Sequence, residues 1–182
     1  MAQKQDDVAR INNLDHLLRS GEGDPFDQKA VVGVDRRSYA GWYSHLLSSL
    51  SVLSAGETLI FGQAEMSETG TAQIVVITTS LVLTADVDAA VDAVENPFVL
   101  VVPRASIVSL EMRAGQGVDV QGSRTVAWPE SMVIRVKYRG MGKTLELRGA
   151  AYVQHDTART GPIWTLLGEF KSDLARQISG NA

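Results

Sequence analysis

The spacing of apolar residues in this 182-residue chain changes near residue 56, and that change constrains the fold more than any other feature. Before it, apolar residues recur every three or four positions in residues 6–20 and 37–53, which predicts two amphipathic helices. After it, they alternate or form short β-branched runs, the pattern of strands. The helical period returns in residues 162–178, where Pro162 suits a first turn. This order predicts an α+β fold.

About seven short strands are predicted between the second and third helices. The clearest covers residues 132–139, where apolar side chains alternate with Arg135, Lys137 and Arg139. The others are residues 58–63, 71–78, 81–85, 98–102, 107–112 and 144–148, and a further strand at 118–120 is an open alternative. The acidic, alanine-rich residues 86–97 are predicted to form a loop.

Charge and cysteine content exclude several classes of protein. Residues 38–103 contain seven acidic residues and no Lys or Arg, whereas the chain from Arg104 onward contains eleven bases and seven acids. The sequence pI is about 5.4, and nucleic-acid-binding domains usually show a domain-wide basic excess, so a nucleic-acid partner is not expected. Without cysteine there is no disulfide, thiolate metal site or cysteine nucleophile.

Neither a membrane span nor a secretory signal is expected. No run approaches 18 apolar residues, and the two acids near the first residue lead into no apolar segment. These features favour a cytoplasmic location.

Three segments, taken in their order, resemble the bacterial pleckstrin-homology-like (PH-like) family. Residues 53–62 contain Gly56-Glu57 and resemble the family's opening GE-x-L strand. Residues 77–83 are similar to its VTxxRLL hairpin, although the usual arginine is missing, and residues 103–110 resemble its P-x-x-x-I-x-x-V strand. The last helix is similar to the family's capping helix, so the resemblance covers about residues 53–177.

The resemblance implies a fold and a general role. The fold would be two nearly orthogonal sheets that form a partly open antiparallel barrel, capped by the C-terminal helix. Residues 54–182 would form this PH-like domain, and residues 1–53 would be an extension of two extra helices. The family is known for binding and assembly rather than catalysis, so the resemblance implies a non-enzymatic role.

The basic strand is a candidate anion-binding face. Arg135, Lys137 and Arg139 share one side of the predicted strand, and Lys143 follows in the turn. They could contact a lipid headgroup, a phosphate or an acidic protein, or they could simply form a solvated outer face that protects the sheet from aggregation. The loop at residues 65–70 carries two acids where phosphoinositide-binding members of the fold carry bases, so phosphoinositide binding is not expected.

The second helix carries a candidate self-association face. Its apolar stripe is wide and includes two tyrosines and a tryptophan, residue types that suit interfaces. The stripe could also pack on the chain's own domain. A membrane contact is not indicated, because Arg36 and Arg37 are the only bases there. The face consists of Tyr39, Trp42, Tyr43, Leu46 and Leu50.

No catalytic or cofactor signature is found. His16, His45 and His155 have no metal-ligand spacing, and residues 140–144 resemble the tail of a phosphate-binding loop but precede a predicted strand instead of a helix. No enzyme activity, metal or cofactor is therefore expected. The sequence predicts an interaction or self-assembly module, expected to form homo-oligomers and able to bind a protein partner. The alternative is a small-molecule or lipid and anion carrier that uses the barrel or the basic strand.

Overall fold

The structure is a computed structural model that describes residues 2–19, 41–67, 70–88, 97–115, 131–150, 152–153 and 156–180. Three helices and nine strands occur in these segments. The helices are α1 (Ala2–Arg19), α2 (Gly41–Leu53) and α3 (Pro162–Gly180). The strands are β1 (Leu59–Met66), β2 (Thr71–Thr78), β3 (Leu81–Asp88), β4 (Leu100–Pro103), β5 (Ile107–Ala114), β6 (Ser131–Tyr138), β7 (Leu145–Ala150), β8 (Tyr152–Val153) and β9 (Asp156–Thr160).

The chain divides into two compact units, Met1–Val101 and Val102–Ala182. The division falls within β4 and does not coincide with the boundary at residue 53 that the sequence suggested. The first unit contains α1 and α2 together with the first sheet, because the apolar sides of both helices join the core of that sheet.

In the first unit, four strands form a sheet in the order β1-β2-β3-β4. β1 and β3 each pair antiparallel with β2, which places Ala64 and Ala85 on either side of Ile74. The two helices cover this face of the sheet. The buried core that results includes Leu14, Leu18, Leu46, Leu50, Ile74, Val76 and Leu83.

In the second unit, three antiparallel strands form a sheet in the order β5-β6-β7, with β5 and β7 at its edges. The inner face of β6 is buried, and α3 packs on the sheet through Ile163, Leu166 and Phe170. The rings of Tyr138 and Phe170 meet edge to face with centroids 6.4 Å apart. β8 and β9 form a separate antiparallel pair.

The predicted α+β class and the C-terminal helix are confirmed, and the strands form open antiparallel sheets of four and three strands, not a closed barrel. β4 and β5 do not continue one into the other, because Pro103 and a 3-10 turn at Arg104–Ser106 stand between them. Two further differences concern the strands. β3 extends to Asp88, into the predicted acidic loop, and the β8–β9 pair was not predicted. The alternative strand at 118–120 lies outside the described residues.

Candidate interaction site

The basic residues of β6 lie where alternation predicts them. Arg135 and Lys137 are exposed on the outer face of the second sheet, opposite the buried side chains of Ile134 and Val136. Arg139 and Lys143 lie in the turn between β6 and β7, where Gly140 adopts a φ of 84°. The strand therefore brings Arg135 and Lys137 onto one face, and the other two bases belong to the turn.

Acidic side chains divide the positive charge of this outer face. Arg135 Nε lies 2.8 Å from Glu146 Oε2, and Arg148 Nη2 lies 2.6 Å from Glu146 Oε1. The hydrogen bonds from Arg135, and then from Arg148, hold the pKa of Glu146 below its usual range. Glu111 is paired with Arg135 from the other side in the register. The face therefore alternates in charge and does not concentrate four bases.

The residues of the candidate self-association face are buried within the first unit. The side chains of Trp42, Tyr43, Leu46 and Leu50 belong to the core that α1, α2 and the first sheet form. Their apolar surface is covered by this single chain, so they do not form an exposed stripe. Tyr39 lies outside the described residues.

Polar contacts between α1 and α2 fix Tyr43 in this core. Its hydroxyl donates to Asp15 Oδ1 at 2.9 Å, and the Arg19 guanidinium lies 5.7 Å from its ring centroid. Burial raises the pKa of Tyr43, and Asp15 raises it further, so the hydroxyl stays protonated as a donor. Tyr43 thus links α2 to α1 within one chain.

The sequence predicted a strand at residues 107–112, which is β5, but not that this strand lies at an exposed edge of its sheet. Among the described residues β5 pairs on one side, with β6. Val108 and Met112 are each about half exposed, at 49% and 48%, and the register shifts between Ile107 and Ser109. The alternation of Leu110, Met112 and Ala114 with Glu111 and Arg113 predicts a strand, but it does not report whether a second strand pairs with each of its sides.

The hydrogen-bond pattern shows which β5 backbone groups point away from β6. Gly115 N donates to Ser131 O at 2.8 Å, which makes these two residues a hydrogen-bonded pair of the antiparallel ladder. Such pairs alternate along a strand, so Ser109, Glu111 and Arg113 direct their N–H and C=O groups toward β6. The N–H and C=O groups of Leu110, Met112 and Ala114 point toward the opposite side, which we call the free edge of β5.

Within the segments that the structure describes, no three His, Cys, Asp or Glu side chains are grouped so that they could hold a metal ion. His16 and His45 are exposed, and His155 lies outside those segments. None of the described helices combines the length and apolar character needed to cross a membrane.

Comparison with known proteins gave no match: no protein-family model, no curated protein and no solved structure is significantly similar to the chain.

Proposed function

We propose that this protein is a non-enzymatic interaction module that accepts a strand of a protein partner on the free edge of β5. The observation that carries the proposal is the direction of the β5 backbone groups. An exposed edge offers donors and acceptors that a further strand can pair with, and neighbouring side chains add specificity. Half-exposed Met112 lies in the middle of this edge and offers an apolar contact.

The proposal includes a PH-like fold. Its support is the order of the elements, in which a four-stranded sheet precedes a three-stranded sheet and a helix that packs on it. Further support comes from Glu57, which lies in the GE-x-L segment and accepts hydrogen bonds from Thr79 and Ser80 of the hairpin segment. Binding and assembly, the roles that the family resemblance implies, agree with a module that acts through a strand edge.

A carrier that binds anions through β6 is favoured less. Arg135 already faces Glu146 at 2.8 Å, and Glu111 is its register partner on β5. An anion at this position would have to compete with two carboxylates that are already in place. The outer face therefore has a weaker electrostatic attraction for anions than the predicted group of four bases suggests.

A peptide-display selection tests the proposal. A random library of short extended peptides is selected against the full-length chain, and affinities are then compared with those of Met112→Pro and Met112→Ala. Proline removes the N–H that Met112 directs to the free edge, but no hydrogen bond to β6. Alanine keeps that N–H and is the matched control.

We expect the selected peptides to bind the proline variant at least about tenfold more weakly than the alanine variant, because a ladder hydrogen bond is lost and the ring obstructs the edge. Amide hydrogen exchange at Leu110, Met112 and Ala114 should slow when peptide is added to the unmodified chain. Equal binding to both variants, or failure to select any peptide that protects these amides, would overturn the proposal. The exchange measurement decides the matter even if the proline variant does not fold.

A further inference from the structure

The charges on β5 suit a second copy of the same strand. β5 has both an acid and a base on its outer face, Glu111 and Arg113, two positions apart and both exposed. Charged side chains on an edge strand usually discourage pairing, because like charges would meet. Because β5 carries one charge of each sign, an antiparallel second copy can place each acid opposite a base of the other strand.

We infer that the strand bound at the free edge is β5 of a second copy of this chain, antiparallel and related by a twofold axis through Met112. This inference rests on the proposed function, since it names the partner of the same edge. A twofold axis makes the contact isologous, so each favourable pair occurs twice. The backbone directions of the strand allow this register, and its charges select it.

The backbone directions are compatible with an axis through Met112. The residue directs both of its polar backbone groups to the free edge, so it can form a hydrogen-bonded pair with Met112 of the second copy. The same register pairs Leu110 with Ala114 of the second copy, and the reverse. About six hydrogen bonds would then join the β5-β6-β7 sheet of one copy to the same sheet of the second copy.

The charges select this register over its neighbours. With the axis at Met112, Glu111 lies opposite Arg113 of the second copy, and Arg113 lies opposite its Glu111. An axis at Glu111 would place two glutamates face to face, and an axis at Arg113 would place two arginines together. Opposite charges directly across a strand pair are favourable and like charges are unfavourable, so the Met112 register is preferred.

The inner-face side chains are also compatible with this register. Met112 would meet its own copy, and Leu110 would meet Ala114. The methionine is half exposed in the single chain, and a flexible thioether adapts readily to a symmetric contact. The pairing would therefore cover apolar surface on one face and form two ion pairs on the other.

Sedimentation equilibrium of the full-length chain, over about 1 to 500 µM, tests the inference because short strand interfaces are typically weak. The unmodified chain should dimerise. Glu111→Arg places two arginines on each strand, and Arg113→Glu places two glutamates there, so each single variant should dimerise at least about tenfold more weakly.

An equimolar mixture of the two single variants provides the decisive measurement, because the doubly basic strand of one fits the doubly acidic strand of the other. The mixture should form heterodimers, and the double variant that exchanges both charges should again form homodimers. Lys137→Ser is the matched control, since it alters the outer face on β6, away from the free edge, and should leave dimerisation unchanged. A misfolded variant would not be rescued by mixing.

The outcomes separate this inference from the proposed function. A chain that stays monomeric throughout, yet binds peptides in a manner sensitive to Met112→Pro, would overturn the second-copy partner and leave strand uptake standing. A dimer whose dissociation constant changes with neither Met112→Pro nor the charge substitutions would overturn the second-copy partner at β5, because another surface would then assemble the chain. A dimer lost in Met112→Pro but not restored by mixing would overturn the register. A monomer without peptide uptake would overturn both proposals.

Discussion

The side chain of Glu57 shows how one residue can organise a turn more than twenty positions away. Its Oε2 accepts hydrogen bonds from Thr79 Oγ1 at 2.5 Å and from the Ser80 amide at 3.0 Å, and its Oε1 accepts one from Ser80 Oγ at 2.7 Å. These bonds secure the tight connection between β2 and β3, in which the Thr79 amide donates to the Thr58 carbonyl at 3.0 Å and the Ser80 amide donates to the Glu57 carboxylate. The carboxylate thus serves as the acceptor for the Ser80 amide and for the two hydroxyl groups of the turn.

Replacing Glu57 with glutamine should make the protein less stable at neutral pH and less sensitive to acid. Hydrogen bonds from Thr79 and then Ser80 lower the pKa of Glu57 in the folded chain. Its stabilising contribution is therefore complete above the carboxyl group's ordinary pKa and is lost as the pH falls through the lowered value. Melting temperatures measured across the acidic range for both proteins check this. If the melting temperatures of the unmodified protein and the Glu57→Gln variant fell equally with decreasing pH, the role given to the carboxylate would be contradicted.

Removal of a buried hydroxyl in β3 should, by contrast, make the protein more stable. Thr84 is 3% exposed, and its Oγ1 has no hydrogen-bond partner among the described residues. Thr84→Val keeps the branched shape and removes a polar atom that burial penalises, so it should raise the free energy of unfolding by about 1 kcal/mol. Chemical denaturation measures the difference. Thr79→Val removes a hydroxyl that donates to Glu57, so it is the contrasting variant and should lower the free energy of unfolding. A loss at Thr84 would reveal an unrecognised partner of its hydroxyl.

At the scale of elements, a buried ion pair attaches α3 to the turn that precedes β5. Arg104 Nη1 lies 2.5 Å from Glu169 Oε2, and Arg104 Nε lies 2.7 Å from Asp173 Oδ2, the latter a charge contact without the alignment of a hydrogen bond. Asp173 is 4% exposed, and Gln177 donates to the Ala105 carbonyl one turn further along. The same contacts hold the start of β5, the strand on which both proposals depend.

A double-mutant cycle at Arg104 and Asp173 measures this attachment. Arg104→Leu should lower the free energy of unfolding by about 3 kcal/mol, because it leaves the buried Asp173 carboxylate without its main counter-charge. The double variant with Asp173→Leu should lose much less than the sum of the single losses, since two apolar side chains replace the pair. Equal and additive losses would show that the two residues act independently. Arg176→Leu, at the exposed side of Asp173, is the control and should cost less than about 1 kcal/mol.

The sequence predicts best those helices and strands that are long enough to show a clear hydrophobic period. α3 begins at the predicted Pro162, and the alternation over residues 132–139 corresponds to β6 within one residue at each end. β8 and β9 are too short to show a period. The contacts of Glu57 and the edge position of β5 depend on strand pairing between distant segments, which periodicity does not report.

The candidate faces illustrate the same limit. Alternation correctly predicts that Arg135 and Lys137 are exposed, but it does not show that Glu146 on β7 meets Arg135. The stripe on α2 correctly indicates a buried side, but it does not show which surface covers it. α1 and the first sheet do so in this chain. The proposal of self-association therefore moves from α2 to β5, where the exposed edge lies.

For the molecule as a whole, the two N-terminal helices are part of the first unit's core. Leu14 and Leu18 of α1 and Leu46 and Leu50 of α2 are fully buried with the apolar face of the first sheet. Arg10 reinforces this arrangement by donating to the carbonyls of Ser54 and Glu57, where α2 ends and leaves backbone acceptors without helical partners. A cation at a helix C-terminus is also favoured by the helix dipole.

Deletion of residues 1–53 should therefore disrupt folding of the first unit and not simply separate an assembled protein into monomers. The deletion uncovers Ile74, Val76 and Leu83 on the face of the first sheet, and burial of each such side chain contributes about 1.5–3 kcal/mol. These losses together are comparable with the whole stability of a typical domain, so the shortened chain should lose the cooperative unfolding transition of the first sheet and expose apolar surface. Dye binding and amide exchange in β1 to β3 measure both effects.

Two point variants in α1, one at a buried position and one at an exposed position, test whether loss of the buried contacts is what destabilises the shortened chain. Leu14→Ala, at a fully buried position of α1, should lower the free energy of unfolding by about 2–5 kcal/mol, whereas Val8→Ala, at an exposed position of the same helix, should change it by less than about 0.5 kcal/mol. A shortened chain with native-like exchange protection in β2 would show that the first sheet folds without the helices. Loss of protection in β2, matched by the large effect at Leu14, would place both helices within the folding unit.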